Sequence, residues 1–88
     1  MDTRYVTNIR LTLPGTHPGH ITDFKFVDQN GRQWQCTRAQ MVAFVKNHPR
    51  AAFTRVGGIR ANLRVVQHWV ETYPDSTKKD NLLNLPPF

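Results

Sequence analysis

The sequence predicts an α+β domain: a small antiparallel β-sheet of about four or five strands with a single α-helix packed on one face, in the order β-β-β-α-β-β. Three observations predict it. Residues 5–13 alternate between apolar and polar types. An Asn-Gly turn separates two aromatic-bearing runs. A Thr-x-x-Gln capping pattern opens the one stretch with helical apolar spacing.

In the first element, Tyr5, Thr7, Ile9, Leu11 and Leu13 point one way, and Asn8, Arg10 and Thr12 the other, the pattern of a half-buried strand. Two Pro and two Gly between Pro14 and Gly19 then make a loop. His20 to Asp28 and Arg32 to Cys36 form a hairpin around Gln29-Asn30-Gly31. A two-residue loop would put the aromatics of the two strands on opposite faces. A three-residue loop with Gly31 left-handed pairs Phe26 with Trp34 and Phe24 with Cys36, and so gathers the large apolar groups on one face. The three-residue loop is therefore expected, with Phe24, Phe26, Trp34 and Cys36 in the core.

The helix follows without slack. Thr37 and Gln40 form a capping box, in which each side chain satisfies a backbone N–H that the first turn leaves unpaired. Met41, Phe44, Val45 and His48 recur at helical spacing, and Pro49 stops the helix by excluding the α conformation at the residue before it. Ala51 to Val56 reads as a strand and Gly57-Gly58 as a turn. Ala61 to Tyr73 fits a helix by spacing and a strand by residue type. Strand, bent or turned near Gln67-His68, is the favoured reading, partly on the family resemblance given below. Pro74 to Thr77 is a turn. The last nine residues, Asp80 to Phe88, are unusually apolar, and Leu82, Leu83, Leu85 and Phe88 are expected to dock on the domain or, failing that, to insert into a partner. The whole of 1–88 reads as one domain.

Composition narrows function. Hydrophobic residues make up 39% of the 88 and charged residues 20%, in keeping with a folded domain. A core this small leaves little room for a deep active site. The net charge is +6 and the pI about 10.3. From Gln29 to Val70 no residue is acidic, while Arg32, Arg38, Lys46, Arg50, Arg55, Arg60 and Arg64 are basic. Such a field attracts nucleic acid, anionic lipid or an acidic protein surface; otherwise it is a solvated face that maintains solubility. A single Cys excludes an intrachain disulfide. With no apolar run long enough for a bilayer and no apolar leader, a cytoplasmic protein that does not bind membranes is expected.

Candidate sites each have a plainer counterpart. His17, His20 and Cys36 with His48 or His68 could be drawn as a zinc site. The His-Pro-Gly-His spacing is short, however, and no Cys-x-x-Cys accompanies it, so loop and surface histidines are the expected reading. Cys36 lies on the expected buried face with no local motif, and reads as a small hydrophobe rather than a nucleophile. The acids form no recognisable catalytic pair, and Gly57-Gly58 lacks the Lys-Ser/Thr of a phosphate loop. No enzyme, cofactor or metal is expected. The remaining candidates are Arg50, Arg55, Arg60 and Arg64 near the Gly57-Gly58 turn, because a planar guanidinium can donate in pairs to phosphate. Trp34 and Trp69 are expected in the core rather than stacked on bases.

The chain also resembles a bacterial and phage family known as domain of unknown function 3892. The matching stretches are Val6-Thr7-Asn8-Ile9-Arg10, His20-Ile21, Thr37-Arg38-Ala39-Gln40-Met41-Val42, Glu71-Thr72-Tyr73-Pro74-Asp75 and Asp80-Asn81-Leu82-Leu83-Asn84-Leu85-Pro86-Pro87-Phe88. The sequence departs from that pattern between Val66 and Trp69, where relatives often carry a longer Gly-containing loop. The resemblance implies a small α+β domain. It implies no activity and supplies no catalytic residues. Two functional classes follow: a basic module that contacts nucleic-acid phosphates, or an accessory or inhibitory protein that docks on an acidic partner surface.

Overall fold

The computed structural model describes residues 3–56, 58–73 and 81–88. Strand β1 spans Arg4–Leu11, β2 Ile21–Asp28 and β3 Gln33–Thr37; helix α1 spans Arg38–Asn47; β4 spans Ala52–Val56, β5 Ile59–Val66 and β6 Trp69–Thr72. Short 3-10 turns occupy Pro18–His20 and Asn81–Asn84. The fold is α+β, but the sheet has six strands, in the order β3-β2-β1-β4-β5-β6, rather than four or five. The extra strand arises because 59–72 turns back on itself at Gln67-His68, with Gln67 at φ 52°. The predicted turn at Pro74 to Thr77, along with Gly57 and Asp80, lies outside the described residues.

The sheet is antiparallel except where β1 runs parallel to β4, pairing Arg4 with Ala52 and Tyr5 with Phe53. The cause is local. Thr37 ends β3 and caps α1 in the same step, so the chain crosses back along the helix, about 15 Å long, and starts β4 in the direction of β3. Because β3 and β1 both flank β2, β4 is parallel to β1.

The hairpin forms as the residue pattern requires. Phe26 opposes Trp34 and Phe24 opposes Cys36, around a three-residue loop with Gly31 at φ 82°. Asp28 clamps the loop by accepting from the Asn30 and Arg32 amides at 2.8 and 3.0 Å. At α1, Thr37 Oγ1 accepts from the Gln40 amide and Gln40 Oε1 accepts from the Thr37 amide, completing the capping box.

Two expectations are corrected. The first concerns β1: the buried residues are Val6 and Ile9, not one alternating set. A bulge between Val6 and Asn8 inserts a residue against β2 and switches the phase of the strand so that Ile9 turns inward after Val6; a second irregularity follows between Arg10 and Leu11, and Leu11 and Leu13 are exposed. The second concerns Trp34, which is 47% exposed. It shares the face of Phe26, but β3 is the sheet edge. Its indole N–H donates to Asp28 Oδ2 at 2.8 Å instead of entering the core.

The core lies between one sheet face and α1. Val6, Ile9, Ile21, Phe24, Phe26, Cys36, Ala52, Leu63 and Val70 meet Met41 and Val45. Leu82, from the C-terminal turn, is fully buried in the same cluster. Beyond Tyr5, where β1 and β4 separate, the chain end lies beside β1: the Ile9 amide donates to the Pro86 carbonyl and the Phe88 amide to the Ile9 carbonyl. The sheet curls enough for the turn before β2 to meet β6, where His17 packs edge-on against Trp69 at 4.8 Å.

Candidate nucleic-acid interface

The sheet face opposite α1 is built from the other half of each strand's alternation. Directly opposed residues share a face, so the pairs Val27–Tyr5, Tyr5–Phe53 and Phe53–Asn62 form one row across four strands. Tyr73, whose amide donates to the Asn62 carbonyl, extends the row beyond β6. Tyr5 and Phe53 stack with centroids 5.6 Å apart and planes 1° from parallel. Tyr73 is 48% exposed.

The arginines lie over this row. Arg55 and Arg60 oppose each other on β4 and β5. Arg60 sits 3.9 Å above the Phe53 ring, while its Nε donates to Asn62 Oδ1 and its Nη2 to the Arg50 carbonyl. These contacts engage two of its five N–H groups and hold the guanidinium in place. Arg55 lies 5.8 and 6.0 Å over Phe53 and Tyr5 and remains exposed. Arg64 lies 5.5 Å over Tyr73 and pairs with Glu71 at 3.3 Å, so its charge is largely neutralised. Arg50 is exposed in the turn before β4 and has φ 70°.

Not all of the acid-free interval reaches this face. Arg38 and Lys46 are on α1, and Arg32 follows the hairpin turn. By register, Arg10 and Lys25 do belong to it, although sequence distance separates them from the other arginines. Arg10 lies over the Phe88 ring at 4.5 Å and donates to the Phe88 carbonyl. The row of Tyr5, Phe53 and Tyr73 was not singled out from sequence. The signal that could have found it is the parallel β1–β4 pairing.

The remaining candidates have local partners. His17 Nδ1 accepts from the Gly19 amide, and His20 Nδ1 accepts from the Thr16 and His17 amides, which braces the turn before β2. Among the described residues no group of three or more His, Cys, Asp or Glu side chains is arranged to hold a metal. Cys36 is buried, and burial pushes its thiol above the ordinary range, partly offset by Arg4. Trp69, expected in the core, is instead half-buried outside the core cluster, because it alternates with buried Val70, and it donates to Glu71 Oε1 at 3.2 Å. Among the described residues no helix is long and apolar enough to cross a membrane.

Fold and site together define a small α+β domain with one helix-covered and one open, arginine-bearing sheet face. The model of the family described as protein of unknown function (DUF3892) matches residues 5–86, and the chain belongs to that family. No curated protein and no solved structure matches it.

Proposed function

We propose that the protein is a non-enzymatic nucleic-acid-binding module that holds the phosphate backbone on its open sheet face. The observation that carries this reading is the Arg55–Arg60 pair held over the Tyr5–Phe53 stack. Arg60 has N–H groups left to donate, and Arg55 adds a second exposed cation beside it. Arg10 and Lys25 add positive charge along the same face, with Asp23 opposite Arg10, and Arg50 is exposed in the turn before β4. Arg64 contributes less, because Glu71 opposes it. Tyr73 offers an exposed ring at the end of the row, on which an unpaired base of a single strand can stack.

Fluorescence anisotropy with labelled single- and double-stranded oligonucleotides across a salt series tests the proposal. Binding is expected to be weak and generic, on the order of micromolar or worse at physiological salt. The single strand is expected to bind more tightly. Replacing Arg55 or Arg60 with Gln lowers the salt slope by about one unit each. Replacing Arg64 has a smaller effect. Failure of both oligonucleotides to bind at low salt would overturn the reading and leave an acidic protein partner as the account of the same charge.

A further inference from the structure

On the helix side of the sheet, next to the edge strand β3, lies an open cleft of about 460 Å³ whose lining includes Arg4, Phe26, Asp28, Trp34, Gln35, Cys36 and Gln40. Gln35, which opposes Lys25, also borders the arginine-bearing face. We propose that this cleft binds a small organic anion, a carboxylate or phosphate carried on a flat ring, with Arg4 taking the charge and Trp34 the ring.

The hydrogen-bonding state of the cleft supports this. Arg4 lies 3.8 Å over the Phe44 ring and 4.5 Å over Phe26, which fixes its guanidinium against the core. Among the described residues the one polar contact of its guanidinium is the Cys36 sulfur, at 3.9 Å, and no described carboxylate pairs with it. Most of its donors therefore lack an acceptor among the described residues, in a position where the aromatic rings have displaced part of its hydration. Gln40 adds another donor: its Oε1 is engaged by the Thr37 amide, which leaves its NH₂ group for a ligand.

The one carboxylate among the cleft's described residues is already engaged. Asp28, on its rim, accepts from the Asn30 and Arg32 amides through Oδ1 and from Trp34 Nε1 through Oδ2. The carboxylate holds the half-exposed indole in one orientation, so the wall is preorganised without a competing free acceptor. A site with guanidinium donors unengaged, its carboxylate engaged and an aromatic wall favours a planar anion over a cation or a neutral polyol. The volume falls within the usual range for small-molecule sites.

The test uses the full chain, isotope-labelled, with benzoate, phenyl phosphate and neutral benzamide as probes followed by NMR. Both anions are expected to move the Trp34 indole resonance and the amides around Cys36 to Gln40, saturating in the millimolar range, and benzamide to require about tenfold more. Arg4→Lys keeps the charge but loses the fork, and is expected to weaken the anions about tenfold. Gln40→Glu retains a capping-box residue while placing a negative charge in the cleft, so the fold survives and anion binding is lost. Oligonucleotide binding at the open face is expected to be unchanged by either substitution. Absence of shifts from either anion at about 20 mM, equal responses to benzoate and benzamide, or unchanged affinity in the folded Gln40→Glu variant would each overturn the proposal.

Discussion

Asp28 shows how much one side chain settles. Its carboxylate accepts three hydrogen bonds, closing the hairpin loop and holding Trp34 on the outside of the sheet edge. The Trp34 bond, then the Arg32 amide, holds its acid form below the ordinary aspartate range. A lowered carboxylate constant stabilises the folded state above the ordinary value, and this contribution is lost as pH falls through the lowered one. The Trp34 indole resonance is therefore expected to titrate at acid pH, beneath the usual aspartate range, and to stop titrating in Asp28→Asn. Phe24 has the opposite character: it is fully buried at the centre of β2. Phe24→Ala leaves a cavity between sheet and helix and is expected to cost about 3–5 kcal/mol, read from chemical denaturation. That Phe24 is core was legible from the alternation of β2. That Trp34 is not was illegible, because position within the strand pair gives the face but not whether the strand is an edge.

At the scale of elements, the capping box does two jobs. It starts α1, and it fixes the point where the chain leaves β3. Both Thr37 and Gln40 bonds are made within 3.2 Å. Thr37→Ala is expected to lower stability by about 1 kcal/mol, whereas a substitution at exposed Ala43 is expected to change it little. The hairpin register and the helix start were both readable from residues 24–40, because each rests on chemistry within a few positions: a left-handed Gly31, an Asp that accepts from loop amides, and a Thr-x-x-Gln pair. Strand β1 was misread for the converse reason. Its sequence alternates cleanly, but the bulge at Thr7 is set by its pairing with β2, which lies beyond the intervening loop.

At the scale of the whole molecule, the C-terminal residues complete the fold. Leu82 is buried in the core cluster, on a turn that packs against β4 and β6, and Pro86 and Phe88 bond to Ile9 where β4 has diverged from β1. Removing residues 80–88 uncovers that part of the core and leaves the Ile9 backbone groups without these partners. The melting temperature is expected to fall by at least about 10 °C, measured by circular dichroism. A chain that melts unchanged would show that these contacts contribute little. The parallel β1–β4 pairing is also a property of the whole molecule. It places Tyr5 beside Phe53, 48 positions away in sequence, and so builds the ring stack over which Arg55 and Arg60 lie.

The sequence by itself determined whatever depends on neighbours along the chain: the hairpin loop, the helix start and the class of the fold. It also determined that positive charge accumulates between residues 29 and 70. Only the tertiary structure decided which of those charges share a surface. Side-chain facing alternates within a strand, but strand order joins the faces. It sends Arg38 and Lys46 away on the helix, pairs Arg64 with Glu71, and brings Arg10 and Lys25 to the face of Arg55 and Arg60. Arg4, four residues from the start of the chain, shows no pattern at all in the sequence. It becomes a candidate ligand contact only because the rings of Phe26 and Phe44, from β2 and α1, meet around it.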